Sequence, residues 1–368
     1  MNVLHFFKTY WPDTFGGIER TIHAIATGTR QYGIETTVLS LSRKPTENSV
    51  DFDGHRALKS KLDLDVASTG CSLSVFRRFK ELSAQADIIH YHFPWPWMDL
   101  VHLAVRHGKP SVVTYHSDII KQKHLLRLYT PLMLRFLADV DHIVATSPNY
   151  LRSSDVLQRF AAKTSVVPLG LDERAYPPVD TAVSAAWRAK LPPRFFLFVG
   201  VLRYYKGLHV LVEAARKSGL DVVLIGDGPM KGELEEQIRR GRLTNVHLLG
   251  ALPDSDKMTI IDLSLGLVFP SHLRSEAFGL SLVEAQIRSK PMISCELGTG
   301  TSYVNLDRET GLVVPPSDAD ALAAAMTTLW NDEASAFRFG VNARRRYEKN
   351  FTATGMSTAY KRIYEALL

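Results

Sequence analysis

Two glutamates, Glu276 and Glu284, stand eight positions apart around the string Phe278-Gly279-Leu280-Ser281. Ahead of them, Leu265 to Phe269 is an apolar run of buried-strand character, stopped by Pro270. Behind them, Leu282, Val283, Ala285 and Ile287 continue as a helix. The stretch 268–287 is therefore strand, loop and helix start. A helix start offers unpaired backbone N–H groups and a positive dipole end, which together suit an anion. Gly279 lets the backbone approach a ligand closely. Carboxylates beside such a cradle would repel phosphate, so their natural partners are hydroxyls. A sugar linked to a nucleoside diphosphate offers both groups. The spacing of the two acids alone would equally fit a surface loop and a solvated helix residue.

Other chemistry-bearing residues fall at similar strand ends. Arg203 and Lys206 follow the strand-like Phe195 to Val199 and precede a helix from Leu208, where two cations and backbone N–H groups could grip a diphosphate. His116 ends the strand-like Ser111 to Tyr115. It could donate to a sugar hydroxyl, shuttle a proton, or simply be a half-buried histidine bonded to backbone. Gly16 and Gly17 lie where a first strand, Asn2 to Phe7, hands over to a helix with Ile18, Ile22, Ile25 and Ala26 on one face. Trp95 and Trp97 follow the strand Ile88 to His92, and their indoles could stack on a sugar or anchor at a membrane. His90, His92 and His116 raise the question of a metal, but no carboxylate ligand accompanies them. The Asp-x-Asp pairs at 51/53, 63/65, 139/141, 254/256 and 318/320 end no clear buried strand, so no metal-bound diphosphate is expected.

Strands and helices alternate along the whole chain, which predicts an α/β protein with parallel sheets and helices on both faces. Ligands in such sheets sit at the carboxyl ends of the strands. With 368 residues there is room for two domains. The segment Pro168 to Asp172 has the character of a linker. It separates residues 1–170 from residues 171–351, leaving a last helix over 352–368. Tyr176 to Pro193 is expected to be mostly irregular, and Pro131 after Thr130 to start a new helix. The Gly226 to Gly232 loop nearly matches the dinucleotide fingerprint, but its last glycine comes one residue late and no acid ends the following strand. A nicotinamide enzyme is therefore not expected.

Residues 1–170 hold 20 Lys and Arg against 15 Asp and Glu, while residues 171–368 hold 24 against 23. A basic first half suggests an anionic partner on that side. Helix-turn-helix, zinc-finger and RNA-binding signatures are missing, so a membrane surface is the better expectation than nucleic acid. The stretch 119–138 mixes Lys121, Lys123 and Arg127 with bulky apolar residues, as suits a helix lying on anionic lipid or a core helix with a basic edge. Two distant cysteines, the lack of a signal-peptide pattern and the lack of a spanning apolar run together predict a cytosolic protein held at the inner face of the plasma membrane.

The string Pro-Ser-x4-Glu-Ala-Phe-Gly-Leu-Ser-x2-Glu-Ala closely resembles the signature of the family-4 retaining glycosyltransferases of GT-B fold. Gly-Gly-Ile-Glu at 16–19, the Arg203…Lys206-Gly207 element and the Tyr115-His116 pair are similar to further elements of that family. The resemblance covers nearly the whole chain. It implies two Rossmann-like domains facing across a cleft, with the last helix crossing back to the first. It implies that Glu276 faces the donor sugar, that Glu284 binds the ribose, and that the backbone from Phe278 through Gly279, Leu280 and Ser281 holds the diphosphate with Arg203 and Lys206. Gly16 and Gly17 would face the donor phosphates and the acceptor, and His116 would lie close to the reacting sugar. The catalytic set would be His116, Glu276, Arg203 and Lys206, acting with retention and without metal or cofactor. The acceptor would be a lipid-linked glycan bound near Trp95 and Trp97.

At 298–303 the chain has Gly-Thr-Gly-Thr-Ser-Tyr where many members have a Gly-Gly turn and a glutamate. This variant looks like that of bacterial O-antigen transferases using GDP-mannose or GDP-rhamnose. GDP-mannose is the expected donor, with UDP-hexoses behind it. Two other classes remain open: a catalytically silent partner of another transferase at the membrane, and a nucleotide-sugar hydrolase or epimerase.

Overall fold

The computed structural model describes residues 1–14, 16–46, 48–66, 69–119 and 123–368. The chain divides into two compact units, Met1–Gly170 with Ala353–Leu368, and Leu171–Thr352.

The first unit is built on strands β1 Asn2–Phe6, β2 Glu35–Ser42, β3 Val50–Phe52, β4 His55–Lys61, β5 Leu64–Val66, β6 Thr69–Cys71, β7 Ile88–Phe93, β8 Ser111–Tyr115, β9 His142–Ala145 and β10 Thr164–Val166. Eight of them form one sheet in the order β10-β9-β8-β7-β1-β2-β4-β3, parallel except for the β3–β4 pair. β5 and β6 form a separate hairpin. Strand order reverses between β1 and β7, and that is where α/β sheets open a crevice. Side chains alternate across the sheet. Phe6, Tyr91, Phe93 and Tyr115 point to one face, where Phe6 packs on Phe79 and Trp95. His5, His90, His92 and Thr114 point to the other. That face is covered from the helix Ala353–Leu367, whose Tyr364 and Tyr360 hydroxyls bond His90 Nδ1 at 2.6 Å and Thr114 Oγ1 at 2.7 Å.

The second unit holds strands β11 Phe196–Val199, β12 Val222–Ile225, β13 Val246–Gly250, β14 Gly266–Phe269, β15 Met292–Cys295 and β16 Gly311–Val314. They pair in parallel in the order β13-β12-β11-β14-β15-β16. This is the Rossmann order, with its reversal between β11 and β14. The four inner strands, β12, β11, β14 and β15, are short, mostly apolar runs buried on both faces, as a parallel sheet between helix layers requires, while the edge strands β13 and β16 are partly exposed.

Two expectations about elements need correction. Pro131 does not start a helix but lies inside one continuous helix, Lys123–Asp139. The Thr130 hydroxyl bonds back to the Leu126 carbonyl instead of capping, and buried Met133, Phe136 and Leu137 carry the helix past the proline. The supposedly irregular stretch 176–193 contains the helix Thr181–Arg188, capped by the Asp180 side chain. Trp187 Nε1 donates to Asp256 at 2.6 Å and fastens that helix to its neighbour.

Candidate active site

In the second unit the chemistry collects at the strand-order reversal. β11 runs out through Gly200 to a short 3-10 turn, Tyr204–Lys206, and β14 runs out to the loop carrying Ser271, His272 and Glu276. Neighbouring strands thus bring Lys206 and Glu276 together across seventy residues of sequence, with Nζ 2.5 Å from Oε2. Ser271 Oγ donates to the same oxygen at 3.0 Å. His272 ties the two loops by bonding the Tyr204 carbonyl and Ser317 Oγ. Lys206 also sits over the Phe269 ring, 4.6 Å from its centroid. Burial is the largest single influence and by itself would lower the Lys206 ammonium, but the charge and hydrogen bond of Glu276, together with nearby Tyr205, outweigh it and raise the group above the ordinary lysine range. Arg203 is exposed, and no partner holds its guanidinium among the described residues.

Behind Glu276 the backbone turns at Gly279, whose φ of +92° belongs to the left-handed region that favours glycine. The helix Leu280–Ile287 begins there. The first amides of this helix, at Leu280 and Ser281, have no partner within it. The Ser281 hydroxyl is already committed to the Val199 carbonyl at 2.9 Å, so only its N–H remains for a ligand. Phe278, expected among the donor-binding residues, has a buried ring packed edge-on against Phe351, which leaves only its backbone for a ligand. Glu284 is buried, and its Oε1 accepts from Lys257 Nζ at 2.7 Å and from the Tyr176 hydroxyl at 2.9 Å. Lys257 is itself buried and reaches Asp254 at 2.7 Å. The variant turn at 298–303 props the loop that carries Glu276. Thr299 Oγ1 donates to the Glu276 carbonyl at 2.7 Å, and the Gly300 amide donates to the Ala277 carbonyl at 2.8 Å.

In the first unit the reversal between β1 and β7 is lined by imidazoles. His5 Nδ1 lies 2.9 Å from His92 Nε2, and His92 Nδ1 lies 3.0 Å from His116 Nε2. Burial pushes the His116 imidazole down to about 3 and, with the nearby His55, pushes His5 down to about 3, so both are neutral at physiological pH. His90 and His92 are driven well below the usual histidine range by burial and then by their histidine neighbours. His5, His90 and His92 each bring a ring nitrogen to within 4.8 Å of the others, a spacing a metal ion could use. Most of the nitrogens of these rings are hydrogen-bonded: His5 Nδ1 bonds His92, and both nitrogens of His90 bond hydroxyls, of Tyr364 and Thr114, while His5 Nε2 has no partner among the described residues.

Gly16 and Gly17 open the helix Gly17–Thr29 and are exposed, as a ligand-facing turn should be. Glu19 folds back beside them, so a Cβ on Gly16 would sit 2.4 Å from its Oε2. Its Oε1 accepts from Thr9 at 2.8 Å and Thr14 at 2.6 Å.

The tryptophans require a correction. Trp95 is fully buried in the first unit, edge-on to Phe6, with Nε1 donating to the Gly70 carbonyl at 2.9 Å. It can neither stack on a sugar nor enter a bilayer. Trp97 is half-buried against Phe76 and donates to the Ser72 carbonyl at 3.0 Å. Both indoles anchor the β5–β6 region to the domain. Arg127 is exposed on the helix Lys123–Asp139, whereas Lys121 and the side chain of Lys123 lie outside the described residues. Sequence reading missed Lys257 and gave Tyr176 no role, and Ser271 and Thr299 entered only as members of the 270–285 and 298–303 strings, without a role of their own. No local signal marks Lys257, which stands between Asp256 and Met258 in a helix whose residues Lys257 to Ile261 are all buried.

The geometry fits what is found by comparison. Residues 15–174 match the family model described as Glycosyltransferase Family 4, and residues 180–346 match Glycosyl transferases group 1. The D-rhamnosyltransferase WbpZ of Pseudomonas aeruginosa is 54% identical over 353 residues, 96% of this chain and 93% of that one. The O-antigen chain mannosyltransferase C of Escherichia coli is 48% identical over 368 residues, 100% of this chain and 99% of that one. Among solved structures, the sucrose-phosphate synthase from Thermosynechococcus elongatus superposes with a TM-score of 0.83 at 22% identity, covering 100% of this chain and 98% of that chain. Anabaena HepE in complex with UDP-glucose gives 0.79 at 19% identity, with 100% of both chains covered. With matches to the family running through both units and relatives near half-identical along their full length, the chain belongs to the family-4, group 1 glycosyltransferases of GT-B fold and is a glycosyltransferase.

Proposed function

We propose that this enzyme transfers a hexose from a nucleoside-diphosphate sugar to a lipid-linked glycan of the O-antigen type, with GDP-mannose as the donor. The observation that carries the reading is the cluster at the second strand-order reversal, where Lys206, Glu276, the amides of the helix Leu280–Ile287 and Glu284 stand together. Arg203, Lys206 and the amides of Leu280 and Ser281 take the diphosphate. Their positive charge then stabilises the leaving group in the place a metal takes elsewhere. Glu276 faces the sugar hydroxyls and Glu284 the ribose diol, through the oxygen that Lys257 and Tyr176 leave free. Gly16, Gly17 and His116 serve the substrate from the first unit. Retention follows from the family resemblance; a product of inverted linkage would refute it.

A second donor is favoured by one observation: the relative at 54% identity is a D-rhamnosyltransferase. D-rhamnose is mannose without the C6 hydroxyl. A site that hydrogen-bonds that hydroxyl rejects the deoxy sugar strongly, while a purely apolar pocket separates the two only weakly. Turnover with GDP-mannose, GDP-D-rhamnose and UDP-glucose on one crude lipid-linked acceptor decides the matter. Mannose transfer exceeding rhamnose transfer by about a hundredfold or more supports the first reading. Exclusive use of UDP-glucose overturns both.

Attachment to the inner face of the plasma membrane is part of the same proposal. No helix among the described residues is long and apolar enough to cross a membrane. The first unit does expose Leu64, Val66 and Leu73, and Arg127 next in sequence to exposed Leu128. Apolar groups next to cations suit shallow docking on anionic lipid. Sedimentation with phosphatidylglycerol vesicles, compared with phosphatidylcholine vesicles, tests it; equal recovery from both would remove the anionic-surface part of the reading.

A further inference from the structure

Three imidazoles in a row pose a question of proton counting. His5, His92 and His116 are joined through two hydrogen bonds, Nδ1 to Nε2 at 2.9 Å and Nδ1 to Nε2 at 3.0 Å. A neutral imidazole carries one N–H and one lone pair. Three neutral rings therefore carry three protons. Each link uses one, and the third must sit at an end: on His5 Nε2 or on His116 Nδ1. The two ends differ. His5 is completely buried, and its Nε2 has no hydrogen-bond partner among the described residues. His116 keeps a small exposed surface, at 6%. A buried N–H without an acceptor is among the rarest features of folded proteins, rarer than an unused lone pair. The third proton is thus driven away from His5 and along the row.

We propose that His5, His92 and His116 form a proton-ordered relay that holds His116 in its Nδ1–H tautomer, so that His116 meets a substrate oxygen as a hydrogen-bond donor and never as a base. His5 and His92 are the positioning residues. They fix both the plane of the His116 ring and the direction in which its proton points. The rings lie edge to edge and close to one plane, with His5–His92 and His92–His116 inclined by 19° and 21°, as in-line N–H···N bonds require. The partner this geometry selects is an oxygen with a free lone pair, a sugar hydroxyl or a phosphoryl oxygen. A nitrogen that already carries its proton cannot take one from an acceptor hydroxyl, so the base of the transfer reaction lies elsewhere. The assignment of a substrate oxygen to His116 rests on the proposed function; the tautomer does not.

The test is ¹⁵N NMR of the full-length protein with labelled histidine, the His116 signals being assigned by their loss in His116→Gln. Expected is a pyrrole-like Nδ1 and a pyridine-like Nε2 for His116. The reverse pattern overturns the proposal without any variant. His5→Asp places an oxygen where Nδ1 stood and can only accept, so it should pull every proton in the row inward and turn His116 Nδ1 pyridine-like. A folded His5→Asp with the wild-type pattern would show that the rings do not share their protons, and would also overturn it. Kinetics separate the tautomer from the site reading. His116→Asn keeps an N–H near the Nδ1 position and should stay within about tenfold of wild-type kcat/KM, while His116→Asp should fall at least tenfold below His116→Asn. An Asp variant more active than Asn would make His116 a base and sink the donor role. Wild-type kinetics in His116→Ala would leave the relay standing and remove His116 from the substrate site.

Discussion

The two units solve the same topological problem with opposite electrostatics. Each has a parallel sheet whose strand order reverses once, between β1 and β7 in the first and between β11 and β14 in the second. At the first reversal the buried polar groups are neutral imidazoles bonded to one another. At the second they are ion pairs, Lys206 with Glu276 and Lys257 with Glu284. A neutral row tolerates burial cheaply but breaks when it is charged. A buried ion pair holds its charge over a wide pH range but is costly to leave half-made. The difference matches the proposed division of labour: a diphosphate needs fixed positive charge, whereas orienting an uncharged hydroxyl needs only a correctly turned N–H.

Four experiments put that contrast to the test. The largest effect is expected from Glu276→Ala, which leaves the Lys206 ammonium buried without its carboxylate. Stability should drop by about 3–5 kcal/mol, and kcat should fall by about 10²–10³ if Glu276 acts on the sugar. Urea unfolding and single-turnover kinetics read the two quantities separately, and a variant with wild-type turnover would dismantle the site.

Acid comes next, and it should strike the first unit. His5 and His116 have folded values of about 3 against 6.5 when unfolded. Below pH 6.5 the unfolded chain therefore binds more protons than the native one. The stability these rings contribute is complete above pH 6.5 and drains away as pH falls toward their folded values. By pH 5 the loss is about 2 kcal/mol for each such imidazole. Hydrogen exchange at pH 7.5 and pH 5 should show β1, β7 and β8 losing protection while β11 and β14 keep theirs, since Lys206 is held charged by Glu276. Equal losses in both units would void the contrast.

Lys257→Met should raise KM for the donor about tenfold with little change in kcat, because Glu284 is held by Lys257 in a role that binds ground state and transition state alike. A fall in kcat with unchanged KM would move Glu284 from binding to chemistry. Thr299→Val, the mildest, removes one hydrogen bond to the Glu276 carbonyl. It should cost about 1 kcal/mol and a few-fold in kcat/KM. No change would mean that the 298–303 turn leaves Glu276 unaffected.

Much of the second site was legible because it is built from strand ends and a helix start, and such places announce themselves locally. The run Leu265 to Phe269, the punctuation of Pro270 and Gly279, and the apolar helix after Ser281 all have short-range signatures. Side-chain fates were less legible. Trp95 looked like a ligand-facing aromatic, yet it fills the core, where a large ring gains most from leaving water. Pro131 looked like a helix start because the tertiary contacts that carry a helix across a proline leave no local mark.

Strand-end periodicity and glycine placement were settled by the chain itself: two alternating α/β halves, a linker near residue 170, a glycine turn at 279 that opens a helix, and cations at 203 and 206. These follow from interactions within a few residues of each other. Only the folded sheets decided that Lys206 would neutralise Glu276, that Lys257 and Tyr176 would share one oxygen of Glu284, and that His5 would reach His116 through His92. Those pairings join residues from 24 to 108 positions apart. They depend on strand register and on burial, and neither is encoded in any window short enough to read by eye.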